Sequence, residues 1–328
     1  MANAAQMVAL LKSHLDGDDE HFYAVALQVA ANEAKQGHDK LAIEIRQLID
    51  EAKRSKAKRN IIPLNHPRGE LTNLLLVSYP EYRLSDMVLG EQLALQLKRI
   101  IKEHRNAVKI LEHGLSPRRK LLLIGPPGTG KTLSASVLAG ELGLPLFQIR
   151  LDGLITKYMG ETAAKLRQIF DVTTETRGVY FFDEFDAIGS ERGLANDVGE
   201  IRRILNSFLQ MIEQDSSNSL IVAATNHPEI LDRALFRRFD DVLKYELPDE
   251  RQAARLLQER LANYSQNYID WGPIGAIAVG LSYGEITRAC QDVIKDALID
   301  GKTLIAGPQL VAAIKERHEL VEKLKTIV

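Results

Sequence analysis

Eight residues, Gly125-Pro126-Pro127-Gly128-Thr129-Gly130-Lys131-Thr132, constrain this 328-residue chain more than any other feature. They fit the spacing G-x-x-x-x-G-K-[ST], directly after an apolar run at residues 121–124 and at the opening of a helical stretch at residues 131–142. Glycines so placed let successive backbone N–H groups curl around one anion, and the N-terminus of the following helix adds a favourable field. The pattern assigns Pro127, Gly128, Thr129, Gly130, Lys131, Thr132 and Leu133 to phosphate and nucleotide contact. Lys131 would reach the β- and γ-phosphates, and the Thr132 hydroxyl would ligate Mg²⁺. A chance glycine turn with a surface lysine would lack the strand before it and the helix after it.

A second signal lies downstream. Val179-Tyr180-Phe181-Phe182 reads as a buried strand that delivers Asp183 and Glu184 at its C-terminal end, where ligands sit in parallel sheets. Asp183 would hold Mg²⁺ through water, and Glu184 would polarise the attacking water, the base role that phosphoryl transfer needs. Further apolar runs at residues 120–124, 145–149, 220–224 and 242–245 alternate with helical stretches. That rhythm predicts an α/β fold, a parallel sheet with helices on both faces. Pro248-Asp249 closes the region, and only helical patterns follow, at residues 250–264, 268–279, 283–299 and 308–325.

Residues 1–57 carry helical periodicity throughout, as in Met7, Leu10, Leu11 and Leu15, with Asp16-Gly17-Asp18 and Gly37-His38-Asp39 as stop-and-cap breaks. A three-helix bundle is expected there. A basic stretch, residues 53–59, and a segment with Pro63 and Pro67 mark a linker. The predicted division is therefore 1–60 helical bundle, 61–83 linker, 84–248 α/β part and 249–328 helical part.

Forty-two Lys and Arg against 44 Asp and Glu leave a net charge of −2, which excludes a chain-wide basic surface for nucleic acid. A single cysteine, Cys290, excludes an internal disulfide and a cysteine-based metal cluster. The longest apolar runs, such as residues 74–77, are too short to span a bilayer, and the start of the chain lacks the basic region of a secretory signal. A cytoplasmic address without membrane association is expected.

From about residue 84 onward these motifs, in this order, resemble the AAA+ ATPases, and more narrowly the AAA subgroup with katanin, spastin and the membrane-bound AAA zinc proteases. The resemblance implies a P-loop NTPase sheet with a C-terminal helical lid, with ATP and Mg²⁺ as ligands. Ile221-Val222-Ala223-Ala224-Thr225-Asn226 is similar to the sensor-1 strand, which implies that Asn226 orients the attacking water. The stretch from Leu231 to Asp240 resembles the second region of homology, in which Arg237 and Arg238 match arginines that reach the ATP of a neighbouring subunit. Such a finger neutralises transition-state charge. It implies a homo-oligomer, in this family a ring of six, although an open spiral or filament uses the same contact.

Lys157-Tyr158-Met159-Gly160 is similar to the family's pore loop, whose aromatic residue grips an unfolded polypeptide; a looser second loop falls within residues 191–199. Leu281-Ser282-Tyr283-Gly284-Glu285-Ile286 resembles the lid stretch at the nucleotide, with Tyr283 and Glu285 as departures and Arg288 close to the sensor-2 position. Similarity also places Asp86-Met87-Val88-Leu89, and Met87 and Val88 in particular, at the adenine. The zinc-protease signature H-E-x-x-H is not matched: His318-Glu319 is followed by Leu320-Val321-Glu322 without a second histidine.

Three functions compete. A protein remodeller would thread its substrate past Tyr158, with the N-terminal bundle recruiting it. A non-threading regulatory ATPase would control a bound partner enzyme through nucleotide-dependent assembly. A nucleic-acid remodeller would use residues 53–59 or Arg118-Arg119-Lys120, and the charge balance disfavours it.

Overall fold

A computed structural model describes residues 25–32, 74–154, 159–185, 198–231, 236–264, 269–302 and 304–327. The chain divides into two units, Met1–Pro63 and Leu64–Val328. In the first, residues 25–32 form a helix that buries Val25, Ala26, Val29 and Ala30 on one face. The rest of the expected three-helix bundle and the basic stretch at residues 53–59 lie outside the described residues.

The second unit is built on a sheet of six strands among the described residues: β1 (Leu75–Ser78), β2 (Lys120–Ile124), β3 (Leu146–Ile149), β4 (Val179–Phe182), β5 (Leu220–Thr225) and β6 (Asp241–Lys244). Their order is β1-β3-β4-β5-β2-β6, with all neighbours parallel except the antiparallel pair β1 and β3. The five expected strands are present to within a residue or so at each end. β1 is an addition, inside the stretch expected to be a linker. It pairs Leu75 with Ile149 and Ser78 with Leu146 at the sheet edge.

Both faces are apolar because both are covered, as parallel sheets require. Strand residues alternate between faces. Leu122, Tyr180, Phe182, Ile221 and Ala223 face α5 (Met159–Glu175) and α6 (Val198–Gln214), where Phe170, Phe182, Phe185 and Phe208 pack as a cluster of rings. Leu121, Leu123, Val179, Phe181, Leu220 and Val222 join a second core with α1 (Glu91–Arg105) and α3 (Lys131–Leu142). Two short helices, α2 (Ala107–Leu111) and α4 (Leu151–Leu154), complete this part.

The C-terminal helices are α7 (Glu250–Arg260), α8 (Trp271–Ala278), α9 (Tyr283–Ile299) and α10 (Gly307–Ile327). Asp249 caps α7, accepting from Gln252 N at 2.8 Å, while its own N–H donates to Gln252 Oε1 at 3.2 Å. These helices enclose a third core that includes Leu257, Ile286 and Ile314. Cys290 lies within it, where burial pushes the thiol up to about 12. His318 donates through Nε2 to Ile277 O at 2.8 Å within this helical packing. Among the described residues no helix is long and apolar enough to cross a membrane.

The basic triplet Arg118-Arg119-Lys120 is not an open patch. Arg118 pairs with Asp241 at 3.1 Å and with Glu103 at 3.7 Å. Arg119 engages the buried carboxylate of Asp215 and donates to Ser217 O at 2.8 Å. Lys120 is buried, and desolvation, assisted by Arg119, lowers its pKa. Asp215 also accepts from Thr173 Oγ1 at 3.1 Å, so these charges join α5, α6 and the start of β2 into one internal network.

Candidate active site

Parallel strands deliver their C-terminal ends to one edge of the sheet, and the predicted chemistry gathers there. The loop after β2 turns tightly between strand and helix. Gly125 has φ 148°, where a Cβ would run into the Tyr245 carbonyl; Gly128 has φ 73°, where it would meet Ser282 Oγ. Only glycine fits either position without displacing a neighbour. Gly130, in the left-handed region, starts α3. Thr129 Oγ1 donates to Pro126 O at 2.7 Å, and Tyr245 Oη donates to Ser134 Oγ at 2.6 Å, which ties α3 to the end of β6.

Lys131 is buried and donates through Nζ to Gly125 O at 2.7 Å and Pro126 O at 2.8 Å. The ammonium is thus fixed over the loop and not dispersed in solvent. Thr132 Oγ1 donates to Asp183 Oδ2 at 2.8 Å, which joins the first turn of α3 to the end of β4. One hydroxyl and one carboxylate oxygen make a sparse, hard donor set. It suits Mg²⁺, which keeps waters and completes its shell on substrate phosphates. Among the described residues no cluster of three or more His, Cys, Asp and Glu could hold a metal by itself.

Glu184 is exposed beside Asp183, and its backbone has φ 50°, the one positive value at a non-glycine among the described residues. Its N–H donates to Asp183 Oδ1 at 3.0 Å, and the next residue, Phe185, is buried with its N–H on Ala224 O at 2.8 Å. The chain is therefore anchored on both sides of a left-handed residue, which costs on the order of 1–2 kcal/mol. Asn226 follows β5, the strand beside β4, and is half-buried; Thr225 Oγ1 accepts from His227 N at 2.9 Å in the same turn.

A cleft of about 450 Å³ opens beside the loop. Residues 86–88 and 128–133 line it from the α/β part, and Leu256, Arg260, Tyr283, Gly284, Thr287, Arg288 and Gln291 from the C-terminal helices. Gly284 N donates to Gly128 O at 2.9 Å, so the lid stretch touches the loop directly. Met87 and Val88 are both buried and both line the cleft, whereas Leu89 lines a neighbouring cavity and packs with the second core. Pro127 and Asp183 are not on the cleft wall; Asp183 reaches the loop through Thr132.

Leu256, Arg260, Thr287 and Gln291 line the cleft without a cue in the sequence, whereas Tyr283 and Arg288 belong to the lid stretch expected there. Arg260 ends α7, and its helical spacing alone gives no cue. Tyr283 donates to Gln252 Oε1 at 2.7 Å, and burial pushes its hydroxyl up to about 12. Arg288 pairs with Glu285 at 2.9 Å.

Arg237 and Arg238 are elsewhere. They lead into β6, whose first residue pairs with Leu121, and Asp240 N donates to Lys120 O at 2.8 Å. They enter at the opposite edge of the sheet from the loop, with the length of β2 between, roughly 13 Å for four strand steps. Of the pore-loop residues, Lys157 and Tyr158 lie outside the described residues, while Met159 and Gly160 are the first two of α5. Of the looser second loop, residues 191–197 also lie outside them.

Residues 121–247 match the profile described as "ATPase family associated with various cellular activities (AAA)". The chain is 37% identical over 321 residues to an uncharacterized AAA family ATPase of Sinorhizobium fredii, covering 96% of each. It is 30% identical over 267 residues to the ATP-dependent zinc metalloprotease FtsH of Helicobacter felis, covering 78% of this chain and 40% of that one. With the FtsH of Caldicellulosiruptor bescii the identity is 33% over 227 residues, 67% of this chain and 37% of the relative.

Proposed function

The chain belongs to the AAA family of ATPases, and from that premise we propose that it hydrolyses Mg²⁺-ATP in an oligomer and uses the turnover to remodel a protein substrate. The observation that carries the reading is the split of the predicted site between two edges of one sheet. The loop, Thr132, Asp183, Glu184 and Asn226 stand at one edge. Arg237 and Arg238 stand at the other, about a strand's length from the cleft they would serve, so they suit the cleft of a second copy.

Within one cleft, the loop N–H groups and Lys131 would bind the phosphates, and residues 86–88 with the lid would hold the base and ribose. Thr132 and Asp183 would hold Mg²⁺, which when bound offsets charge on the β- and γ-phosphate oxygens. Glu184 would accept the proton of the attacking water, and Asn226 would orient that water. Closure of Gly284 onto Gly128 would exclude bulk solvent. A head-to-tail arrangement, in which each copy receives arginines from the next, closes as a ring or runs on as a helix.

The remodelling step is assigned to Tyr158, and recruitment of substrate to the helical unit at residues 1–60. A flat aromatic side chain grips polypeptide without requiring a sequence, and the FtsH relatives couple ATP to proteolysis, as their name says. The test is ATP turnover by the full-length chain with and without an unfolded model protein, reduced and alkylated lactalbumin. The expected result is stimulation of the wild type and none of Tyr158→Ala. Equal stimulation of both removes threading, and the reading becomes a regulatory ATPase whose nucleotide-dependent assembly controls a bound partner enzyme.

A further inference from the structure

Behind the loop and off the cleft wall, two buried hydroxyls meet. Tyr245, the residue after β6, is 1% exposed, and Ser134, in the first turn of α3, is fully buried. Tyr245 touches both ends of the loop. Its N–H donates to Ile124 O at 2.7 Å, and its carbonyl is what a Cβ at Gly125 would strike. Its hydroxyl crosses to the helix side and donates to Ser134 Oγ at 2.6 Å. The Ser134 hydroxyl in turn donates to Gly130 O at 3.0 Å, with the Met87 sulfur 3.8 Å away as a weaker acceptor. Ser134 N donates to the same Gly130 oxygen at 2.9 Å.

The carbonyl that ends this chain shares one planar peptide unit with the N–H of Lys131. In a trans unit the two point in opposite directions. Holding Gly130 O against α3 therefore aims the Lys131 N–H into the loop. That N–H is among the first of the helix, which have no partner within it. An apolar pair would fill the same space, as Leu121 and Leu138 do in the surrounding core. What two hydroxyls add is direction, because a fully satisfied buried chain fixes the angles of its members.

We propose that Tyr245 and Ser134 are positioning residues for nucleotide turnover, whose hydroxyls set the tilt of the peptide between Gly130 and Lys131 and so the first turn of α3, where Lys131 and Thr132 stand. The proposal rests on the reading of residues 125–132 as the phosphate site. Neither side chain lines the cleft, and both act through the loop alone.

The experiment is steady-state turnover of Mg²⁺-ATP by the full-length chain, at a temperature where each variant is folded by circular dichroism. Three variants are compared: Tyr245→Phe, Ser134→Ala and the two combined. Ser134→Ala leaves the Tyr245 hydroxyl buried without an acceptor, which lowers the melting temperature. The double variant removes both partners and leaves no buried hydroxyl unpaired, so it separates folding from turnover. Its kcat/KM for ATP is expected to fall about 10-fold or more, toward the roughly 10²-fold scale of a group misplaced by about 1 Å. Tyr245→Phe should lose less, since Ser134 keeps its own bond to Gly130 O.

A folded double variant whose kcat/KM stays within about 10-fold of wild type, well short of a misplaced group, overturns the proposal. The two hydroxyls would then be a packing contact. The phosphate-site reading fails by a separate route. Lys131→Ala with wild-type affinity for ATP by calorimetry would take the phosphates away from residues 125–132, whatever the pair does.

Discussion

At the edge of the sheet where β2 begins, charges are answered from within the chain, whereas at the edge where β2 ends the backbone is strained and its polar groups face a cleft. Arg118, Arg119 and Lys120 meet Asp241, Glu103, Asp215 and the carboxylate of Asp240, which accepts from the N–H groups of residues 119 and 120 at 2.8 and 2.9 Å. Only four strand steps away, Gly125, Gly128, Gly130 and Glu184 all have positive φ, and Glu184 is exposed. The same strands serve both ends. The first edge holds the fold, and the second gathers the loop, Lys131, Thr132, Asp183 and the exposed Glu184 beside a cleft.

Substitutions at the cleft edge should therefore remove chemistry and spare stability. The largest effect is expected for Lys131→Ala, which takes away the ammonium held over the loop. Nucleotide binding by calorimetry should fall below detection, with the melting temperature of the nucleotide-free protein within a few degrees of wild type. Retained ATP affinity would dissolve the contrast between the edges. Next is Glu184→Gln, which keeps the shape and removes the base. It should bind ATP as wild type does and lower kcat by about 10²–10⁴-fold, the usual worth of a positioned base. Turnover at the normal rate would take Glu184 out of that role.

The opposite edge should show the reverse pattern, at a smaller scale. Asp215→Ala leaves the Arg119 guanidinium, 17% exposed, without its carboxylate and strips Thr173 of an acceptor. Breaking one partner of such a pair costs about 3 kcal/mol, or roughly 6–12 °C in the melting temperature of a domain this size. At a temperature where the variant is folded, kcat should match wild type. A variant that melts normally but turns over slowly would show that the network reaches the site.

How much of this was written in the sequence depends on the range of the interactions. The strands of the sheet core are legible because each is a short run of Leu, Ile, Val, Phe or Ala between turns, and the loop from Gly125 to Thr132 because its glycines answer a local backbone need. β1 was missed. Its four residues follow a proline-containing stretch and pair with β3, some 70 positions later, which no local pattern announces. The fate of Arg118-Arg119-Lys120 was hidden for the same reason, since Arg118 and Arg119 find their partners, Asp241 and Asp215, 123 and 96 residues away. Leu89 read as part of the apolar segment with Met87 and Val88, but the turn into α1 carries it to another cavity. Leu256 and Arg260 reach the cleft only because the C-terminal helices fold back over it, as a tertiary fact.

The strain at Glu184 is the part least visible in sequence, and it yields the smallest and most diagnostic prediction. A left-handed residue other than glycine costs on the order of 1–2 kcal/mol. Replacing it by glycine releases that cost but adds about 0.5–1 kcal/mol through the greater freedom of the unfolded chain. Glu184→Gly should therefore be more stable than wild type by roughly 0.5–1 kcal/mol while hydrolysing no ATP. Glu184→Ala loses the same carboxylate but retains φ near 50°, so it should gain nothing. The two variants share the catalytic defect, and their difference in thermal melting isolates the backbone term. If glycine is less stable than alanine by about 0.5–1 kcal/mol, the cost of its freer unfolded chain alone, the left-handed turn carries no strain, and the two edges of the sheet differ in their charges alone. If glycine is the more stable, the chain holds its candidate base in a conformation that opposes folding, fixed by Asp183 on one side and the buried Phe185 on the other.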